Sequence, residues 1–392
     1  MMALVSGVGI AGLTLAWWLH RDGWDVVMVE KADGPREGGY LMDFFGSGFD
    51  VAERMGLGAA LARAAVEVEE LVYLDPSGRA RVRTRYDTID RALDGRVCSI
   101  MRGDLERVLH AAFTTPPTIR YGTVVTGVEP RGVGDEVDVK LSDGTVVRAD
   151  LVVGADGIHS GVRTLVHKSK GTVLRRLGFH TASFVFQDAD LLAKIGRTFT
   201  VVAAPGRQVA LYRTPVGHLA ASLVHATADD VPPRDSRPEV LRDAYRGLGD
   251  IVDLVLSSCP DDSSLYYDDV AQVELAGWSQ GPVTLVGDAC GAVSLMAGQG
   301  SSMAMGGAWV LADELNRGRG DVPAALRRYE DRARPSVARK QAYGRSASRW
   351  LVPESRWRMA VRDVLLRTGG LPGGHHLLRS SLAVALESVV ER

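Results

Sequence analysis

The feature that most constrains this chain is a glycine fingerprint set between a strand and a helix near its start. Ala3 to Lys31 reads ALVSGVGIAGLTLAWWLHRDGWDVVMVEK: a short apolar run, then Gly7-x-Gly9-x-x-Gly12, a helical pattern, and a second apolar run, Asp25-Val-Val-Met-Val, ending at Glu30. This order predicts a βαβ unit. Each glycine has its own physical reason. Gly7 permits the tight strand-to-helix turn, Gly9 lets a pyrophosphate approach the backbone, and Gly12 lets helix and strand pack closely. Glu30 lies 18 residues past Gly12, where an acid accepts the ribose hydroxyls of an adenosine and disfavours a 2′-phosphate.

The fingerprint specifies a bound dinucleotide without choosing FAD or NAD, and composition removes other classes. With 46 Lys+Arg against 48 Asp+Glu the net charge is −2, so no polybasic nucleic-acid surface and no nucleic-acid partner are expected. The 44 glycines among 392 residues, about 11% against a usual ~7%, are not spread as in low-complexity chains but clustered in three turns. Cys98, Cys259 and Cys290 show no C-x-x-C spacing and no H-E-x-x-H occurs, so neither a disulfide framework nor a metal site is expected, and a reducing cytoplasm is the default. Residues 1–19 are uncharged but lack a basic leader and a cleavage site, and residues 289–312 are diluted by five glycines. Both are expected to be buried beside a ligand rather than inserted in a membrane.

Two later segments repeat the strand-then-turn logic. Leu151-Val-Val-Gly-Ala-Asp-Gly-Ile-His-Ser-Gly-Val-Arg places Asp156-Gly157 just past an apolar strand, with Ser160 and Arg163 on the opening turns of a helix. Pro282-Val-Thr-Leu-Val-Gly-Asp-Ala places Gly287-Asp288 likewise, followed by Gly298-Gln299-Gly300 and a long apolar helix. In that order, G-V-G-I-A-G, A-D-G-I-H-S-G-V-R and V-G-D-A…G-Q-G resemble the FAD-dependent aromatic hydroxylases typified by p-hydroxybenzoate hydroxylase, the group A flavin monooxygenases. The resemblance covers roughly residues 1 to 345, and tetracycline-degrading flavin monooxygenases are similar in length.

The resemblance implies non-covalent FAD and an α/β fold: a discontinuous Rossmann-like FAD-binding domain, an inserted, mostly antiparallel β-sheet substrate domain, and a C-terminal helical segment. Its boundaries are expected at 1–70, 98–168 and 272–345 for the FAD-binding domain, 71–97 and 169–271 for the substrate domain, and 346–392 for the helical segment. It brings Gly7, Gly9, Ile10, Ala11 and Gly12 to the pyrophosphate, Glu30 with Lys31 to the adenosine ribose, Arg102 toward the phosphates and ribityl chain, and Gly287-Asp288 to the ribityl hydroxyls. Gly298, Gln299, Gly300 and Ser301 lie along the flavin ring, at a helix N-terminus whose partial positive charge favours negative charge on the reduced ring. Asp156-Gly157 holds the pyrophosphate region, with a nicotinamide contact also open; Arg163 braces that turn. Arg36 is equally readable as a phosphate contact or a solvated loop charge, and Met42 and Asp43 as contacts to flavin or substrate.

The chemistry implied is reduction of FAD by NADPH or NADH bound transiently, since no second fingerprint is present, and capture of O₂ as a C4a-(hydro)peroxyflavin. One oxygen then enters an aromatic or polyketide-like small molecule. A reductase, a halogenase and a non-catalytic dinucleotide-binding protein are the alternatives; the halogenase pattern W-x-W-x-I-P is absent. No catalytic base is named by any motif. Where relatives commonly carry Ala-His and later Ser-Pro after Gly-Asp-Ala, this chain has Cys290-Gly291 and Ser294-Leu295. Loss of the proline is expected to loosen the loop over the flavin.

Strand-like runs between 173 and 225 are spaced as an antiparallel meander, with a further strand pair at Leu71 to Arg85. Phe184, Phe186, Phe199 and Tyr212 alternate as one sheet face would, making them substrate-wall candidates beside Leu295 and Met296, with core packing the competing explanation. Beyond Arg345 a basic amphipathic pattern predicts a docked helix or a dimer face; monomer and homodimer both stay open, and no thioredoxin-like domain is expected after it.

Overall fold

Apolar runs with both faces covered make the strands of a parallel sheet, and the first of them, Met2–Ser6, is the centre of one. The computed structural model describes residues 1–35, 39–130, 136–167, 173–261, 264–318, 320–369, 384 and 386–390. Among these, Met2–Ser6 pairs in parallel with Asp25–Val29 on one side and Leu151–Gly154 on the other. Thr118–Arg120 extends the sheet beyond the former and Val283–Leu285 beyond the latter, both in parallel. Ala3, Leu4 and Val5 have no exposed surface. The helix Ile10–Arg21 follows the glycine turn as predicted and packs against Gly300–Arg317, which is buried along most of its length. That burial accounts for the uncharged stretch 289–312. No helix among the described residues is long and apolar enough to cross a membrane.

The meander is present as a seven-stranded mixed sheet. Its spatial order is Tyr266–Glu274, Val173–Phe186, Leu219–Ala226, Arg207–Arg213, Thr198–Ala204, Glu70–Leu74 and Ala80–Arg85. All neighbours are antiparallel except Thr198–Ala204 beside Glu70–Leu74. A two-stranded ribbon, Leu41–Phe45 with Val97–Met101, lies between this sheet and the parallel one and leads directly into the helix Arg102–Ala111.

The four aromatic wall candidates do not share a face. Phe184 and Phe186 pack with Leu211, Leu223 and the helices Arg237–Tyr245 and Asp250–Ser257, on the side turned away from the parallel sheet. Phe199 and Tyr212 stack on each other, ring centroids 5.4 Å apart, and meet Met101 and Leu41 on the opposite side. Strict alternation orders residues within a strand, but the parity between strands is set by their register, here Val185 with Ala220 and Ala220 with Tyr212.

The C-terminal helix Arg356–Gly369 docks by Met359 and Leu366 onto Tyr73, Val82 and Val201 and leaves Trp357 66% exposed. Under it Arg362 lies 4.4 Å over the Tyr73 ring and ion-pairs with Asp363 at 3.0 Å, while Arg81 reaches the same carboxylate at 2.6 Å. Both Arg362 and Asp363 are buried, so removing the acid leaves an uncompensated charge. Asp363→Ala is expected to cost about 3 kcal/mol or more of stability, measured as a fall in the thermal transition; an unchanged transition contradicts the buried pair.

Candidate flavin site

The site forms where the parallel strands end. Ser6-Gly7, Val29-Glu30 and Ala155-Asp156, which follow three adjacent strands, line a cavity of about 330 Å³ together with Arg102, Glu106 and His159. The crevice lies beside the central strand, where the chain order reverses from one side of the sheet to the other.

The glycines are steric requirements. Gly7 has φ +105°, and a Cβ there would lie 2.5 Å from the Ala155 carbonyl oxygen. At Gly12 a Cβ would stand 2.0 Å from the Gly7 oxygen, so the helix can approach the turn only without a side chain. Gly9 faces the Arg102 and Glu106 side chains across ordinary contact distances. At Gly287, φ +65°, a Cβ would press on Ala11 at 2.9 Å. The segment leading to Asp288 therefore abuts the start of the first helix.

Around this frame the charged residues are held by the backbone. Glu30 accepts hydrogen bonds from Val8 N at 3.0 Å and Ala32 N at 3.1 Å, which aims the acid back over the glycine turn. Lys31 lines the same cavity. Arg102 pairs with Glu106 at 2.8 Å. Burial works against its charge, but Glu106, Tyr40, Asp288 and Tyr266 outweigh that and lift the guanidinium above its ordinary value. Asp288 is exposed along one side, yet protein crowds around it; desolvation lifts its pKa, and Arg102 pulls the other way. The two sequence-distant residues thus share one electrostatic neighbourhood.

Asp156 has a structural job. Its carboxylate accepts from Gly161 N at 2.8 Å, from Val162 N at 3.1 Å and from Ser160 Oγ, while Gly157 takes φ +81°. Arg163, buried, donates to Ile158 O at 2.6 Å and to Ala289 O at 3.0 Å, bolting the Asp156 turn to the segment after Asp288. Asp43 accepts from the Tyr86 hydroxyl and from Ser99 Oγ, each at 2.6 Å, a network no motif announced. Gly298, φ +63°, precedes Gln299, which is fully buried, and Gly300 opens the helix Gly300–Arg317 with Ser301 in its first turn. Ser302 Oγ ties that turn to Phe45 O. Met296 packs against Phe179, Val224 and Val270, and Leu295 is half-buried beside it. Arg36 lies outside the described residues.

Two bridges escaped the sequence reading. His159 Nε2 reaches the Asp268 carboxylate at 2.9 Å and 3.2 Å, spanning from the Asp156 turn to the edge of the seven-stranded sheet. His159 sits inside a motif, but Asp268 carried no signal. Lys340 and Gln341, on the helix Val322–Leu351, reach the loop before Gly300.

The comparisons with known proteins agree with this geometry. The model of the family described as FAD binding domain matches residues 1–342. A flavin-dependent monooxygenase from an unknown prokaryotic organism is 28% identical over 347 residues, 87% of each chain. The 3-amino-4-hydroxybenzoate 2-monooxygenase PtnB3 of Streptomyces platensis is 31% identical over 355 residues, covering 88% of this chain and 86% of that one. Among solved structures, the tetracycline destructase Tet(51) superposes with a TM-score of 0.82 at 26% identity, over 96% of this chain and 97% of that one. The chain belongs to the FAD binding domain family. Within it, it is an FAD-dependent monooxygenase of the group typified by p-hydroxybenzoate hydroxylase.

The hydrogen bond to Asp268, against the opposing effect of burial, raises the His159 pKa above its usual ~6.5. The bridge is therefore complete below that value and weakens as pH rises through the raised folded value. NMR titration of the His159 ring is expected to give a midpoint above 6.5; a midpoint at or below it contradicts the bridge.

Proposed function

We propose that this chain is an NADPH- or NADH-dependent hydroxylase that uses FAD and O₂ to place one oxygen atom on an uncharged aromatic or polyketide-like small molecule. The observation that carries it is the convergence of Arg102 and Asp288, far apart in the sequence, below a polar but largely uncharged sheet face. The backbone at Gly7, Gly9, Ile10, Ala11 and Gly12 would hold the pyrophosphate, Glu30 the adenosine ribose, Arg102 the phosphates and ribityl chain, and Asp288 the ribityl hydroxyls. Gly298 to Ser301 would flank the ring. The N–H groups that open Gly300–Arg317 would favour negative charge on a ring bound beside them. When bound, the flavin supplies hydride acceptance from the nicotinamide and activation of O₂.

The substrate class is supported by the sheet side that faces the flavin-binding half. Register puts Thr181, Ser183, Tyr212, Ser222 and Tyr266 there, with Val185 and Phe199, and none of these is cationic. Its acid, Asp268, is engaged by His159. A carboxylate buried against such a face would find the neighbouring cations, Arg102 and His159, already engaged by Glu106 and Asp268, so its burial would be poorly compensated, at a cost of several kcal/mol. The face therefore suits phenol and ketone oxygens better than the benzoate named for PtnB3.

Purified protein is expected to be yellow, with the absorption of bound oxidised flavin, and to oxidise NADH or NADPH faster with neutral phenols than with carboxylated ones, giving a product heavier by one oxygen atom. Colourless protein that FAD does not reconstitute overturns the reading; nucleotide oxidation without an oxygenated product points to a reductase. Asp288→Ala removes a charged hydrogen-bond acceptor, so FAD binding is expected to weaken about tenfold or more by fluorescence titration. Unchanged affinity contradicts the role given to Asp288.

A further inference from the structure

The loop that leads into Gly300–Arg317 contains no proline, yet its outer side is firmly tied. Gln272, on the edge strand, donates to Val293 O at 3.0 Å and to Gln341 O at 2.8 Å. Gln341 donates to Ala292 O at 3.1 Å and back to Val273 O at 2.8 Å. Lys340 Nζ donates to Gln299 Oε1 at 3.0 Å, and Gln299 Nε2 in turn to Gly298 O at 3.3 Å. Arg345 holds Gln272 Oε1 at 2.9 Å. Gln272, Gln299 and Lys340 have no exposed surface, so these are hydrogen bonds without water as a competitor.

The packing is equally specific. Gly344 lets the loop settle on the helix Val322–Leu351, since a Cβ there would lie 2.6 Å from Val293 O and 3.2 Å from the Ala297 Cβ. Ser294 has φ +81°, a backbone conformation that residues other than glycine rarely adopt. Ser294 accepts from Met296 N at 3.2 Å, a local cap on a strained turn.

We infer that Lys340, Gln341 and Gln272 are positioning residues for the flavin-facing loop 292–300, giving a loop that contains no proline its rigidity by side-chain hydrogen bonds from behind. This rests on the flavin reading above. The helix Val322–Leu351 is the backing on which Gly298 and Gly300 are presented, and Lys340 brings an ammonium to Gln299, between those two glycines. Burial lowers the Lys340 pKa to about 8, with Glu387 opposing and Arg339 adding to the effect, so the group is still mostly charged at neutral pH.

The test compares wild type, Lys340→Met and Gln341→Met, each stripped of FAD and titrated with it. Each variant is expected to bind FAD about tenfold more weakly and to shift the visible bands of the bound flavin. Wild-type affinity and spectrum in folded variants, even with a lowered thermal transition, overturn the inference and leave these residues holding only the fold. If neither variant folds, hydrogen exchange of the wild-type apoprotein decides: slow exchange at 292–300 supports the pinned loop, and exchange as fast as in exposed loops overturns it. Wild type that binds no FAD refutes the flavin reading itself, a separate outcome.

Discussion

The contact on which the rest of the structure depends is the approach of Gly12 to the carbonyl of Gly7, close enough that a Cβ would sit 2.0 Å from the oxygen. It sets the first helix directly on the turn at the end of the central strand and aims its free N–H groups into the crevice. Glu30, hydrogen-bonded to Val8 N, closes the turn from the neighbouring strand, and the Asp156 turn closes it from the other side. Three strand ends are thereby locked into one wall of the cavity.

The second half of the site is assembled by charge and by buried hydrogen bonds. Arg102 leaves the two-stranded ribbon and Asp288 leaves the edge of the parallel sheet, and each feels the other. Arg163 fixes the distance between the Asp156 turn and the Asp288 segment through two backbone carbonyls. His159 and Asp268 join this frame to the seven-stranded sheet. The candidate site is thus a seam between two layers, with the aromatic stack of Phe199 on Tyr212 and the Tyr212 hydroxyl, which accepts from Leu41 N at 2.8 Å, on its sheet side.

Much of the frame around the candidate site was legible because glycine turns and strand ends are local. Gly7, Gly12 and Gly287 sit in strand-to-helix turns that the flanking residues announce, although the atoms a Cβ would meet at Gly7 and Gly287, those of Ala155 and Ala11, come from distant parts of the chain. The meander was legible for the same reason, since alternation and turn residues are short-range signals. The face of each strand was not: Phe184 and Phe186 turned to the helices at 237–257, because inter-strand register decides parity. Asp43 with Tyr86 and Ser99, or Gln272 with Gln341, are polar residues scattered across the chain that no spacing rule links.

By itself, then, the sequence determined a dinucleotide-binding βαβ unit, two further glycine turns and an antiparallel insert, because each is encoded within a few consecutive residues. Only the tertiary structure decided which aromatics face the seam, what holds Asp43 and Asp156, and how a loop that contains no proline is restrained. Those answers depend on pairs such as Lys340 with Gln299 and His159 with Asp268, which lie far apart in the chain and meet only when the layers pack.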